Sequence, residues 1–322
     1  MTGFLVLLLT WAQFSQRVIP SFIHWQFSNI KVEKFAIGRQ SFIFPDWLTL
    51  EDVRGAFLTS NVRYEAQLKS IVLAGKKIFS SAGRRISLKI RDARLSSEMM
   101  DVAGLDVEGE LTNQPLARGI FSIKAVHWLG YAASDINGEF ITDQQKIVIQ
   151  PLKAGIYGGD VDAEIVLEYP KNVAYSIKAK FAQVDTKQLE MINASFFSNM
   201  KGKIDGDLEF RGDSSGINNI QGSLWSSQGG EIKAVLLKPL LDYLPQSTQK
   251  KDLDLLIKEQ KNIPLDTAVF KIISWEDEKI KTRIDLESKK FNLDIGVPLD
   301  VNIEGGVKNL LKFQEQLFIQ GR

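Results

Sequence analysis

A regular alternation of apolar and polar residues between positions 152 and 244 constrains the fold of this chain more than any other feature. In the segment 161–167, valine, alanine, isoleucine and leucine alternate mostly with acidic residues. Successive side chains of a strand point to opposite sides of the sheet, so this pattern predicts a strand with one apolar face. The segments 173–181 and 204–210 repeat the pattern. We therefore expect a curved antiparallel sheet with one apolar and one polar side.

Short alternating segments separated by turn residues continue this pattern on the N-terminal side of that region. Turn clusters such as Thr112-Asn-Gln-Pro and Thr142-Asp-Gln-Gln divide them. Strands that recur about every 8–12 residues with turn signals between them are typical of a meandering all-β architecture. The strand candidates between positions 96 and 150 are 105–111, 120–126, 136–141 and 146–149.

Three short helices are predicted within the β-rich sequence. Asp185 and Gln188 have the spacing of a capping box, which predicts a helix starting at Asp185. Pro239 suits the first position of a helix that Pro245 would stop, because proline lacks the backbone N–H that a helix interior needs. The segment 247–262 places leucine and isoleucine on one stripe, which predicts a third helix.

Composition and motifs argue against most kinds of chemistry. The 40 basic and 39 acidic residues nearly cancel, so no global charge favours nucleic acid as a partner. The chain contains no cysteine, which excludes disulfides and thiolate metal sites. Its two histidines, His24 and His127, stand beside apolar or aromatic residues and are interpreted as structural or interfacial. We therefore predict no catalytic residues, no metal site and no cofactor, and hence a protein that is not an enzyme.

The first 27 residues are predicted to contact a membrane. Residues 4–9 are uninterrupted apolar sequence, and Trp11 and Phe14 extend it. A full membrane span needs about 18 or more apolar residues, so this run suits either an incomplete anchor or an interfacial helix with Trp11 and Trp25 at the headgroups. A buried first helix of a soluble domain is the alternative.

The order of the signals after residue 105 resembles the AsmA-like proteins, bacterial relatives of TamB in the repeating β-groove group. Tyr157-Gly-Gly is followed by two alternating strands and a short helix. Next come Lys201-Gly-Lys-Ile-Asp-Gly-Asp-Leu-Glu-Phe-Arg-Gly, a glycine-ended strand and a leucine-rich helix. The resemblance covers residues 105 to 310. It implies a protein with a single N-terminal anchor in the inner membrane, its bulk in the periplasm, and a folded sheet that carries or manages lipid.

Two architectures fit the apolar face of the predicted sheet. In a closed β-sandwich two sheets cover each other, whereas in an open groove another molecule must cover the apolar side. The resemblance favours the groove, with phospholipid acyl chains as the cover. The expected fold is mainly β, with a long curved antiparallel sheet forming an open apolar groove, a few short helices and an N-terminal membrane helix. Residues assigned to the lipid groove are Ile165, Tyr175, Ile177, Phe181, Leu208, Phe210 and Leu286.

The predicted domains are an anchor at 1–27, an N-terminal β region at 28–150 and an AsmA-like β region at 151–322. The predicted function is lipid binding that assists phospholipid transport or outer-membrane homeostasis between the inner and outer membranes. The alternative is a periplasmic scaffold or assembly factor that captures a strand of an outer-membrane β-barrel or another envelope protein at the open sheet edge.

Overall fold

The computed structural model describes residues 31–43, 47–59, 62–75, 85–112, 117–128, 131–143, 145–168, 174–191, 198–213, 216–226, 228–276 and 279–302. Within these ranges the chain is mainly β, with seventeen strands, one α-helix and two 3-10 helices. The chain divides into two compact units, Met1–Gln144 and Gln145–Arg322. The prediction of a mainly β, antiparallel chain with few short helices is confirmed. The predicted N-terminal helix lies outside the described residues.

The first unit is an antiparallel meander of seven strands. Each strand pairs with the next one along the chain, because the short connections leave no room for a crossover. The strands are β1 (Lys31–Ile43), β2 (Trp47–Thr59), β3 (Val62–Ala74), β4 (Arg85–Ser96), β5 (Met100–Thr112), β6 (Ala117–Trp128) and β7 (Tyr131–Thr142).

Aspartates in the left-handed backbone region change which residues of the first unit share a face. Asp52 has a φ of 53° and lies between Leu50 and Val53, which are both buried although three positions apart. A strict two-residue period would send these two side chains to opposite faces. Asp92, with a φ of 46°, precedes the buried Ala93 where the register of β4 against β5 shifts.

The second unit contains ten strands. Its long sheet runs through consecutive antiparallel pairs from β8 to β12, and β12 then pairs with β15. The boundary predicted at residue 150 falls inside β8. The strands are β8 (Lys146–Ile156), β9 (Gly159–Glu168), β10 (Ala174–Asp185), β11 (Met200–Asp213), β12 (Gly216–Ser226), β13 (Gly230–Lys233), β14 (Asn262–Leu265), β15 (Thr267–Glu276), β16 (Lys279–Ser288) and β17 (Leu293–Asn302).

An insertion separates the paired strands β12 and β15 in the sequence. Its strands β13 and β14 pair with each other, and β13 also pairs with the first residues of β11. Between β13 and β14 lie a 3-10 helix, Ala234–Asp242, and the α-helix α1, Thr248–Lys258. These two helices pack against each other and are the main helical layer in the described part of the unit.

The helix predicted to start at Asp185 begins later in the structure, and its described part is 3-10 in form. Asp185 is the last residue of β10, and the helix that follows is a four-residue 3-10 turn, Gln188–Met191. The carboxylate of Asp185 accepts a hydrogen bond from the backbone N–H of Lys187 at 2.9 Å. This bond closes a local turn of the Asx type before the 3-10 helix, which begins only at Gln188. The remainder of the predicted helix lies outside the described residues.

The bounds of the other two predicted helices also differ from the structure. The helix expected from Pro239 begins at Ala234 and is 3-10 in form. Ala234, Leu237 and Leu240 are its buried residues, and their spacing of three matches the three residues per turn of a 3-10 helix. The third helix, α1, is confirmed with Ser247 as its N-cap, but it ends at Lys258 because β14 begins at Asn262.

Gly222 supplies a sensitive test of the sheet between β11 and β12. Its φ is +143°, and a Cβ there would come within 2.9 Å of the Leu208 Cα. We expect Gly222→Ala to destabilise the second unit by about 2 kcal/mol or more, because both the backbone conformation and the neighbouring strand oppose a side chain. Thermal unfolding followed by circular dichroism measures this loss.

Gly296→Ala is the matched control. At Gly296 the nearest atoms to an added Cβ are the ends of the Arg283 and Asp285 side chains, both at 3.2 Å, and these can move aside. An equal loss of stability in the two variants would contradict the close approach of backbone at Gly222.

Candidate functional site

Aligned apolar side chains form a continuous row across the middle of the second unit. Ile165 of β9 pairs with Ile177 of β10, and Ile177 pairs in turn with Phe210 of β11. Ile149 extends the row on the β8 side and Ile220 extends it on the β12 side. Directly paired residues of an antiparallel sheet share a face, so these five side chains lie side by side.

Two further rows run parallel to the first on the same face. One contains Ala163, Ala179 and Leu208, and continues through Gly222 to Ile272. We call the sheet surface that carries the three rows the apolar face. The third row consists of Val161, Phe181, Gly206, Leu224, Phe270, Ile284 and Val297.

The large side chains at the centre of the apolar face are half-buried and none is enclosed. Each of them keeps part of its surface exposed, and none belongs to the buried cluster beneath the helices of the insertion. A second sheet packed face to face would enclose such positions in a core about 10 Å thick. The half-buried set includes six of the seven predicted groove residues: Ile165, Tyr175, Ile177, Phe181, Leu208 and Phe210.

The end of the sheet formed by β16 and β17 is covered by the helices of the insertion. Ile295 is only 1% exposed and Val297 2% exposed, and both belong to one cluster with Leu237 and the fully buried Leu253. Leu286 is also part of this cluster, at 9% exposure. The structure therefore places the seventh predicted groove residue beneath the helical layer and apart from the other six.

Sequence reasoning missed several members of the apolar face. Ile220 and Leu224 on β12, and Phe270 and Ile272 on β15, continue its rows but were not assigned. Their signal is the same alternation, which the glycine at position 222 interrupts on β12. The pairing of β12 with β15 across the insertion is a contact between distant segments, so local patterns do not reveal it.

The opposite face of these strands carries charged side chains in aligned rows. Glu164, Lys178 and Glu209 are consecutive partners across β9, β10 and β11. The guanidinium of Arg211 donates to Glu209 Oε1 from Nη2 at 2.6 Å, and Gln221 donates to Oε2 at 3.1 Å. The hydrogen bond from Arg211 is the largest of the effects that hold the pKa of Glu209 below its ordinary value.

A depression of about 760 Å³ lies on this charged face. It is lined by charged side chains from two cross-strand rows in which acidic and basic residues alternate. These include Asp162, Glu164, Lys178, Lys180 and Asp207. Leu208 and Ile272 of the apolar face are also part of the lining, whereas Ile177 and Phe210 are not. The depression therefore includes residues of the second row of the apolar face, whereas the first row lies outside it.

We call the part of the apolar face on β9, β10 and β11 the central strip, and Tyr175 is the tyrosine that β10 contributes to it. Burial raises its pKa above the ordinary value, and the charge of Asp213 raises it further. The sign follows from the chemistry, because both a low-dielectric surrounding and a nearby carboxylate disfavour the phenolate. The hydroxyl stays neutral at neutral pH, so the strip presents apolar groups and one neutral hydroxyl to whatever covers it.

Metal-ligating groups do not assemble in the part of the chain that the structure describes. No group of three or more His, Asp or Glu side chains there is placed to hold a metal ion. His127 is exposed at the end of β6, and His24 lies outside the described residues. Among the helices of the described ranges, none has the length and apolar character to cross a membrane.

Comparison of the chain with protein-family models, with curated proteins and with solved structures finds no match in any of the three.

Two aspartate substitutions distinguish an uncovered apolar face from a closed core. Ile177→Asp places a carboxylate on the half-buried strip, where water can reach it, so we expect the second unit to stay folded. Ile295→Asp places the same group at a position that is 1% exposed, and burying an unpaired charge there should cost several kcal/mol. Thermal unfolding of both variants and of the unaltered protein provides the measurement.

A large loss of stability in Ile177→Asp, matching that of Ile295→Asp, would contradict this reading. Such a result would indicate that another part of the protein encloses the central strip. Lys178→Asp, one residue along β10 and exposed on the opposite face, controls for the change of charge and strand propensity.

Proposed function

We propose that this chain is a non-enzymatic envelope protein that binds lipid on the apolar face of its second unit. In this role it assists phospholipid transport or outer-membrane homeostasis between the inner and outer membranes. The observation that supports the proposal best is the half-burial of six large side chains on β9, β10 and β11 beside a fully covered end of the same sheet. The uncovered strip needs a cover, and acyl chains have the matching chemistry.

The expected stabilisation from such a cover is substantial. Exposed apolar patches of soluble monomers reach about 300–600 Å², and larger ones usually mark a binding surface. Covering a patch of that size contributes roughly 8–15 kcal/mol at about 25 cal/mol per Å², before the costs of association are subtracted. An acyl chain suits a strip of this kind, because the rows run across several strands without a charged side chain.

The charged face supports the same assignment. Lys178, Lys180 and Asp207 are exposed there, so that side is solvated without any partner. The two faces of one sheet then have different roles, with lipid on one side and water on the other. The N-terminal apolar segment and the resemblance to AsmA-like proteins support a location at the inner membrane with the bulk in the periplasm.

Strand capture at a sheet edge is the second candidate function. Within the described residues β17 pairs only with β16, which leaves one side of β17 without a described partner. An extended segment of a β-rich envelope protein would add to such an edge through main-chain hydrogen bonds. Pro298 on β17 argues against a long added strand, because proline removes one backbone donor.

Photo-crosslinking at neighbouring positions tests the lipid proposal. We expect a photoreactive residue at Ile177 or Leu208 to label acyl chains in cells that express the full chain. The same residue at Lys178 or Glu209 should not, because successive strand residues face opposite sides. Labelling of lipid from both faces alike, or from neither, would overturn the proposal. Capture of a protein by a photoreactive residue on β17, with no lipid at Ile177, would favour the second candidate.

A further inference from the structure

One end of the meander in the first unit collects three of its hairpin connections and the start of its first strand. Because successive strands are antiparallel, the connections after β2, β4 and β6 lie at the same end as the first residue of β1. The register agrees, since Lys31 at the start of β1 pairs with Leu58 near the end of β2. We call this the entry end, because the chain enters the sheet there.

Large apolar side chains are exposed at the entry end. Met99, in the turn between β4 and β5, is 39% exposed, and Trp128, the last residue of β6, is 47% exposed. Met100 pairs with Trp128, so the two tips are adjacent. The Trp128 ring lies 6.2 Å from the ring of Tyr131, centroid to centroid.

The turn that carries Met99 is ordered by its own hydrogen bonds. The Ser97 hydroxyl accepts from the backbone N–H of Met99 at 3.3 Å and from that of Met100 at 3.0 Å. The backbone N–H of Ser97 donates to the Met100 carbonyl at 2.7 Å. These bonds fix the tip, so the exposure of Met99 is a property of the fold.

The segment that precedes the entry end indicates the occupant of this surface. Thirty residues come before Lys31, and they include the apolar run at 4–9 and two tryptophans. If that segment lies in or on a bilayer, the entry end is the part of the sheet tethered closest to it. Tryptophan favours the membrane–water interface, where its ring is apolar and its N–H meets water.

We propose that the tips around Met99 and Trp128 insert into the headgroup region of the membrane that holds the N-terminal segment. Glu98 and Asp101 are exposed beside them, so attraction to anionic lipid does not drive the contact. Burial of apolar and aromatic side chains drives the contact. Vesicles of zwitterionic phosphatidylcholine, without anionic lipid, should therefore be enough for the tips to insert. This inference rests on the membrane attachment in the proposed function, but it does not depend on lipid binding by the apolar face.

The absence of cysteine from the chain allows a direct test. Single cysteines at Met99 and Trp128 carry an environment-sensitive fluorophore in the full chain, reconstituted in phosphatidylcholine vesicles. Trp47→Cys is the matched control, since Trp47 is 44% exposed and begins β2 at the opposite end of the meander. We expect iodide quenching at the two tips to fall at least threefold on vesicle binding, with little change at position 47. Lipids that carry a nitroxide near the headgroup should quench the tips alone.

Each other outcome counts against the inference. Equal iodide access at all three positions would mean that the tips stay in water, and equal shielding would mean that the contact is not specific to the entry end. Failure of the full chain to float with vesicles would remove the attachment itself. Met99→Cys and Trp128→Cys report independently, so a folding defect in one leaves the other informative. The tips could stay accessible to iodide while a photoreactive residue at Ile177 still labels acyl chains. That result would overturn the tip contact and leave the proposed lipid binding unaffected.

Discussion

The requirement that apolar surface be removed from water governs the second unit of this protein. Its sheet has one apolar face, and the helices of the insertion cover that face at β16 and β17. Over β9, β10 and β11 the same face carries half-buried residues such as Ile177 and Phe210. A sheet of this length is stable through its backbone ladders and lateral contacts, yet part of the apolar surface at its centre stays exposed to water. The proposed function follows from that imbalance.

Local sequence pattern predicted correctly which residues of the central strands share a face. The two-residue period of strands assigned Ile165, Ile177 and Phe210 to one face, and the structure makes them direct cross-strand partners. Leu286 followed the same period but lies under the helical layer. Its cover comes from residues 234–258, which reach it through the fold rather than through adjacent sequence. Periodicity tells which face a residue occupies, and only tertiary packing decides what covers that face.

Departures from regular backbone geometry could not be predicted from the sequence, for a different physical reason. Asp52 adopts a positive φ inside β2 and so brings Leu50 and Val53 to one face. Such a conformation is allowed for aspartate but not dictated by it. The 3-10 helix at Ala234 has a period of three, and the predicted start at Pro239 assumed an α-helix. In both cases a less common backbone geometry replaced the regular one, and the neighbouring strands or helices selected it.

Native mass spectrometry of the full chain, released gently from membranes, tests the central claim most directly. If acyl chains cover the apolar face, the unaltered protein carries a defined number of phospholipid adducts beyond those of an Ile177→Asp variant with the same N-terminal segment. Lipid bound around that segment contributes equally to both and cancels in the comparison. Lipid binding on the apolar face would be contradicted if the unaltered protein carried no phospholipid adducts. It would also be contradicted if the two proteins carried the same number.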